Sequence, residues 1–353
     1  MNLTPRENAL IAYRHGTPAW IPCFYTDIAL FQAYPQGERY AGHDHGTDWF
    51  GIDWTFVPAG AAPMPTNHNG LFDDITEWKD YVKFPDLDAI DWKKQAEIDL
   101  HTNFVAFAAG AGLVPLEDGK SLTDEPKLMV CMVINGMFER LHAFMGMENA
   151  LVALMTEPEA CKEFFHAMAD YKIAYFKKIV ENYPVDVINA HDDYGTNDGL
   201  FMSPELWREL IKPELKRIVD ACHEMGVLYQ HHSCGYIEPL LGDLVEIGVD
   251  AIDTLQGASN PNLKELKQKY GDKITFCGGF DNLNILDRAD VTREEVHAEY
   301  ERVINDLAPG GSYVIYPIGL GFSFIPHFLE KHFQYGMGFY QMMAAQEGAK
   351  EQD

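Results

Sequence analysis

Val227 to Gly235 reads VLYQHHSCG. An apolar run, Val227-Leu228-Tyr229, follows Gly226 and ends in Gln230-His231-His232-Ser233-Cys234-Gly235. That is the pattern of a buried strand leaving a sheet. In a strand, His232 and Cys234 lie two apart and share a face. An imidazole and a thiolate at that spacing suit a zinc ion. A lone His-x-Cys is more often without function, so the weight falls on where the other strands end. His231, and His191 on an earlier strand, are read as structural.

Working outward, apolar runs alternate with helical segments. Strands are expected at Leu128–Val133, Val185–Ala190, Val227–His231, Ala251–Leu255, Ile274–Cys277 and Tyr313–Tyr316, each followed by a helix. An earlier strand is expected at Trp20–Phe24, weakened by Pro22. Thr4, Pro5 and Glu7 open a helix through Tyr13, and Ser203-Pro204-Glu205 opens a long one to His223. A final helix spans about 325 to 345. About eight βα units predict a TIM (β/α)8 barrel, and the runner-up is a doubly wound open sheet. The barrel is preferred because no glycine-rich phosphate loop follows the first strand. Residues 30 to 100 are irregular and aromatic, holding His43, His45, Trp49, Phe50, Trp54 and the proline-rich Pro58 to Pro65. They read as a lid-like extension over the barrel mouth within one domain, 1–353. A hairpin covering the barrel's end reads equally well.

The chain has 353 residues with 47% hydrophobic content, enough for one large core. Its 27 Lys and Arg face 54 Asp and Glu, a net charge of −27. Such a surface repels nucleic acid and anionic membranes. The six scattered cysteines read as reduced thiols, and the first residues show no apolar signal core. The expectation is a cytoplasmic protein with no membrane span.

In a parallel barrel the site lies at the C-terminal ends of the strands. Those ends supply Asn135; His191, Asp192 and Asp193; His232 and Cys234; Gln256; Cys277; and Tyr316. Cys277 follows two strands after His232 and Cys234, so all three are expected to reach one zinc, leaving an open fourth position. A buried apolar role for Cys277 is the plainer reading. Asp192 and Asp193 offer a carboxylate to substrate, to metal or to a ligand imidazole, or they cap loops.

Several stretches together resemble the uroporphyrinogen decarboxylase superfamily. They are Thr4-Pro5-Arg6-Glu7-Asn8, Asp193-Tyr194-Gly195-Thr196, Ser203-Pro204-Glu205-Leu206-Trp207 with Ile211-Lys212-Pro213, His232-Ser233-Cys234-Gly235 and Gly278-Gly279-Phe280-Asp281. The resemblance implies a TIM barrel with its site in the C-terminal mouth. The decarboxylases' Arg-Gln-Ala-Gly-Arg-Tyr motif, whose arginines meet porphyrinogen carboxylates, is absent, and nine arginines are few for that substrate. The cobamide-dependent methyltransferase branch carries zinc on a His-x-Cys that His232 and Cys234 match. Its thiol-methylating members take a third ligand, Cys, after the last strand. Here that place reads Tyr316-Pro317-Ile318-Gly319-Leu320.

The resulting expectation is a zinc methyltransferase that moves a methyl group from a small methoxylated, aromatic donor to the cobalt of a corrinoid. No Asp-x-His-x-x-Gly run holds a corrinoid in this chain, so the cobamide comes free or on a corrinoid protein. His232, Cys234 and Cys277 are assigned to the metal. Asp193, Asn135 and Gln256 are assigned to catalysis, and Trp49, Phe50, Tyr194 and Tyr316 to substrate. The rivals are methyl transfer from methylcobamide to a thiol, a decarboxylase, and a non-catalytic barrel. A homodimer is compatible with each.

Overall fold

The computed structural model describes residues 3–35, 37–40, 44–57, 62–66, 70–102, 115–317 and 322–350. Its strands, in chain order, are β1 (Ile28–Phe31), β2 (His45–Thr47), β3 (Asp53–Val57), β4 (Ala62–Pro65), β5 (Leu128–Val133), β6 (Val187–His191), β7 (Leu228–Ser233), β8 (Ala251–Thr254), β9 (Thr275–Cys277) and β10 (Tyr313–Val314). The main sheet runs β1-β5-β6-β7-β8-β9-β10 with every pair parallel. Helices separate its successive strands, as parallel pairing requires.

The two edges are joined. Cys23 forms a parallel bridge with Ile315, beside β10. Phe24 N–H donates to Ile315 O, and Ile315 N–H donates to Pro22 O, both at 2.8 Å. The stretch 22–31 thus bonds β10 at one end and β5 at the other, and a TIM barrel results. The strand expected at Trp20–Phe24 is reduced to this bridge, with the ladder resuming at β1. The Asp27 carboxylate is the reason: it accepts from Cys23 N–H at 3.0 Å and Trp20 Nε1–H at 2.8 Å, winding Phe24–Asp27 into one helical turn.

Strands buried on both faces read as continuous apolar runs. In β5, Leu128 and Val130 face the barrel interior with Val187, Ala251, Cys277 and Val314. Cys131 and Val133 face the helical layer instead. The helix Pro5–Tyr13 forms with the expected Thr4/Glu7 capping box. Its Ala9, Ala12 and Tyr13 join the interior cluster, and Thr275 Oγ1 donates to Ala12 O. This helix therefore plugs the barrel at the N-terminal ends of the strands. The long helix expected from Ser203 is two, Pro204–Leu210 and Lys212–Glu224, since Pro213 has no N–H to continue the first. The final helix likewise divides into Ile325–Gln334 and Phe339–Lys350.

Residues between β1 and β5 include a small antiparallel sheet, β2-β3-β4. His43 and residues 58–61 lie outside the described residues. A buried ion network ties this segment to the barrel. Arg140, in the helix Met137–Met145 after β5, is fully buried. It bonds Asp48 at 2.6 Å and Glu38 at 2.9 Å, with its guanidinium 4.3 Å from the Phe50 ring centroid. Glu38 also binds Lys172 at 2.9 Å and Tyr171 OH at 2.8 Å. Burial alone raises the Glu38 pKa, but Lys172 and Arg140 hold it below its usual value.

Removing one partner of such a buried set is expected to cost about 3–5 kcal/mol, because the others are left uncompensated. Arg140→Met should therefore lower the denaturant midpoint strongly, and adding Glu38→Gln and Asp48→Asn should recover part of the loss. The depressed Glu38 pKa contributes stability above the unfolded value of about 4.3 and loses it as pH falls through the folded value. The acid limb of the wild-type stability curve should accordingly be steeper than that of Glu38→Gln.

Candidate metal centre

The site is built on β6, β7 and the turns that follow them. Alternation along β7 points Gln230 and His232 into the barrel, while His231 packs outward between the Tyr194 and Tyr229 rings. His191 is the register partner of His232, and their rings stack 3.7 Å apart. Beyond the strands, the two turns press backbone to backbone. A Cβ on Gly235, which has φ +74°, would meet Gly195 O at 2.7 Å, so only glycine fits there. This contact carries Asp193 to Cys234, whose N–H donates to Asp193 Oδ1 at 2.7 Å.

Three donor atoms converge as a result. His232 Nε2 stands 3.4 Å from Cys234 Sγ and 3.8 Å from Asp193 Oδ1, and the donor atoms of the three residues all lie within 4.8 Å of one another. Ligand atoms around a tetrahedral zinc sit roughly 3.3–3.8 Å apart, given bonds of about 2.0–2.3 Å. The two separations from His232 Nε2 match that spacing and the third is bounded at 4.8 Å, so one nitrogen, one sulfur and one oxygen stand where they would suit zinc with a fourth position left open.

Behind the cluster, Asp253 orients the imidazole. Its Oδ2 stands 2.7 Å from His232 Nδ1, which leaves Nε2 for the cluster. Asp253 Oδ1 accepts from Asn189 Nδ2 at 2.8 Å and Gln230 Nε2 at 2.6 Å, and Gln230 Oε1 accepts from Tyr13 OH. Burial would lower the His232 pKa, but Asp253 and Cys234 raise it well above its usual value. Burial, with Asp193 close by, raises the Cys234 thiol. A divalent ion bound there would displace protons.

Cys277 does not join the cluster, and Asp193 takes the place expected for it. β9 ends at Cys277, and Gly278 and Gly279 turn the chain away at φ +101° and +91°. Cys277 consequently sits deep in the interior against Tyr13, and burial pushes its thiol well above the ordinary range. The segment where thiol-methylating relatives carry their third cysteine lies in part, at 318–320, outside the described residues.

The remaining expected site residues divide. Asn135 accepts from Arg39 and donates to Glu38 O, so its amide is already engaged. Gln256 Oε1 accepts from Gly235 N–H at 2.7 Å and steadies the Cys234 turn. Tyr194 is fully buried, with its hydroxyl on Asp192 Oδ2 at 2.9 Å. Trp49 packs with Tyr34, Trp92 and Tyr175, and Phe50 with Phe144, Tyr171 and Arg140. Both rings serve the packing of the segment after β1. Tyr316 differs: it faces the interior near Cys277 and Asp253, and its buried hydroxyl has no hydrogen-bond partner among the described residues.

Sequence reading missed Asp253, Glu139 and Arg39. Asp253 had a signal, being the one acid inside the apolar strand β8. Glu139 is buried in the first turn after β5, and burial with Asp193 nearby pushes its carboxyl up to about 8. Asp192 accepts the N–H groups of Phe138 and Glu139, capping that helix from the next strand, and burial pushes it up to about 6.

No curated protein matches the chain. Among solved structures, a methyltransferase from Methanosarcina mazei is similar, with TM-score 0.62 and 12% identity over 94% of this chain and 99% of that one. A dihydropteroate synthase from Xanthomonas albilineans has TM-score 0.33 and 16% identity over 46% of this chain and 58% of that one. An endo-1,4-beta-xylanase from Caldicellulosiruptor owensensis has TM-score 0.30 and 13% identity over 45% and 57%. Neither of these last two likenesses is close enough to carry an argument. The first supports the barrel architecture along nearly the whole chain. The sequence pattern of the family described as uroporphyrinogen decarboxylase (URO-D) matches residues 122–334, more than half of the chain, and the chain belongs to that family.

Proposed function

We propose that the protein is a zinc-dependent methyltransferase, moving a methyl group from a methoxylated aromatic donor to the cobalt of a corrinoid carried by a partner protein. The observation that carries this reading is the Asp193-His232-Cys234 cluster at the barrel mouth, buttressed by Asp253, in a chain lacking the decarboxylases' arginine motif. The likeness in fold to a methyltransferase is in keeping with it.

Asp193, His232 and Cys234 would hold the ion, which when bound would supply Lewis acidity to the oxygen that leaves the methyl group. A carboxylate in the third place makes the donor set harder than one with two thiolates. That favours an oxygen leaving group over a thiol acceptor. Asp253 keeps His232 in the tautomer and orientation that present Nε2. Tyr316 offers an interior hydroxyl with no hydrogen-bond partner among the described residues, suited to a substrate polar group. Glu139, protonated at neutral pH by the direction of its shift, can hold a proton beside the site. The stretches 37–40 and 44–57 would serve as the mouth's cover. No described helix is long and apolar enough to cross a membrane.

Metal analysis is the first check. Asp193→Ala, His232→Ala and Cys234→Ala should each lose most bound zinc, whereas Cys277→Ala should keep it. Loss in Cys277→Ala with retention in Asp193→Ala would reverse the ligand assignment. Asp253→Asn should weaken zinc affinity about 10–100-fold in a chelator competition. For the reaction, reduced cobalamin and a panel of methoxyarenes should give the methyl-Co(III) spectrum with zinc-loaded protein and no ATP. His232→Ala should abolish that change. If methylcobalamin instead methylates a simple thiol, and no methoxyarene reacts, the direction is the opposite one.

A further inference from the structure

Arg39 stands apart from the other arginines. Every other one, except the surface residue Arg14, hydrogen-bonds a carboxylate. The Arg39 side chain is only 20% exposed, yet its hydrogen bonds go to a neutral amide. Nε and Nη2 donate to Asn135 Oδ1 at 3.3 and 2.7 Å. The carboxylate paired with it among the described residues, Glu139 Oε1, is 3.6 Å away, beyond a hydrogen bond. The other oxygen of Glu139 accepts from Gly136 N–H. With 54 acidic residues against 27 basic ones, this is no shortage of acids.

The guanidinium is also held in place. It lies 5.2 Å from the Trp54 ring centroid. Its anchor, Asn135, has φ +56°, a conformation rarely taken by residues other than glycine, and its side chain is spent on Arg39 and Glu38 O. Among the described residues, two of its five N–H groups meet a hydrogen-bond acceptor. The Nη1 and remaining Nη2 hydrogens form the edge that meets a carboxylate in two parallel bonds. Arg39 sits at the same end of the barrel as the donor cluster: its anchor Asn135 follows β5, and Asp192, which follows the neighbouring β6, accepts from the N–H of Glu139 beside it.

We infer that Arg39 is the anion-recognition residue of the substrate site, and that the methyl donor is a methoxylated aromatic acid whose carboxylate it binds. The identity of the donor rests on the methyl-transfer reading; the anion itself does not. Arg39 lies outside the decarboxylases' arginine motif, which this chain lacks. A single guanidinium, at a barrel end that also carries Asp192 and Asp193, matches a single negative charge, and a dianion such as phosphate matches it poorly.

The test is calorimetric binding to zinc-loaded protein, with para-methoxybenzoate, its neutral analogue para-methoxybenzamide, and inorganic phosphate as probes. Wild type should bind the acid about 10- to 100-fold more tightly than the amide, the worth of a charge-assisted bond. Arg39→Gln should lose that preference while binding the amide as before, and Arg39→Lys should keep part of it. Zinc content and thermal unfolding of each variant confirm that the fold is intact. Equal binding of acid and amide by wild type, persistence of the preference in Arg39→Gln, or phosphate outcompeting the acid would each overturn the inference. If binding depends on Arg39 but no donor transfers its methyl group, the reaction reading fails alone. If neutral donors react as well as acids, the Arg39 inference fails alone.

Discussion

The 2.7 Å contact between His232 Nδ1 and Asp253 Oδ2 is the constraint on which the site depends. It is made across two adjacent strands, in the interior of the barrel, where neither group has water as an alternative partner. A buried carboxylate there is tolerable only because Asn189 and Gln230 also donate to it. Those donors come from β6 and β7, so the barrel's register sets the direction of the imidazole. The cluster with Asp193 and Cys234 follows from that direction and from the glycine contact between two turns.

Much of the barrel was legible because parallel strands, buried on both faces, write themselves as apolar runs ended by polar residues. Leu128–Val133 needed no tertiary knowledge. The first strand was displaced because Asp27 reaches back to Cys23 and Trp20, a side-chain contact that no periodicity records. His232 and Cys234 were legible as a pair on one strand. The third donor was not, since Cys277 and Asp193 both end strands and only depth in the barrel separates them. Asp253 was visible as an acid in an apolar strand, yet its partner lies 21 residues earlier, which spacing alone does not reveal.

The segment after β1 shows a different division of labour. Its aromatics invite a reading as a binding surface, but Trp49, Phe50 and Trp54 are held by Tyr175, Phe144 and Asp48. Buried aromatic area and the Arg140 ion network fix the segment, and its chemistry is left to single polar side chains. Arg39 and Arg140 illustrate the point. Arg140 is paired with two carboxylates, Glu38 and Asp48, while Arg39 is offered a neutral amide.

The plug formed by Pro5–Tyr13 links the ends of the chain in time as well as in space. Its seat includes Thr275 and Val314, and Tyr13 reaches the centre through Gln230. During synthesis the first helix emerges long before these partners exist, so its apolar face must wait for the last third of the chain. Contacts of such sequence separation form slowly, after large loops have closed. Ordering of the core behind the donor cluster is therefore a late event, and a nascent chain short of β9 and β10 has the histidine and the cysteine without the barrel that aims them.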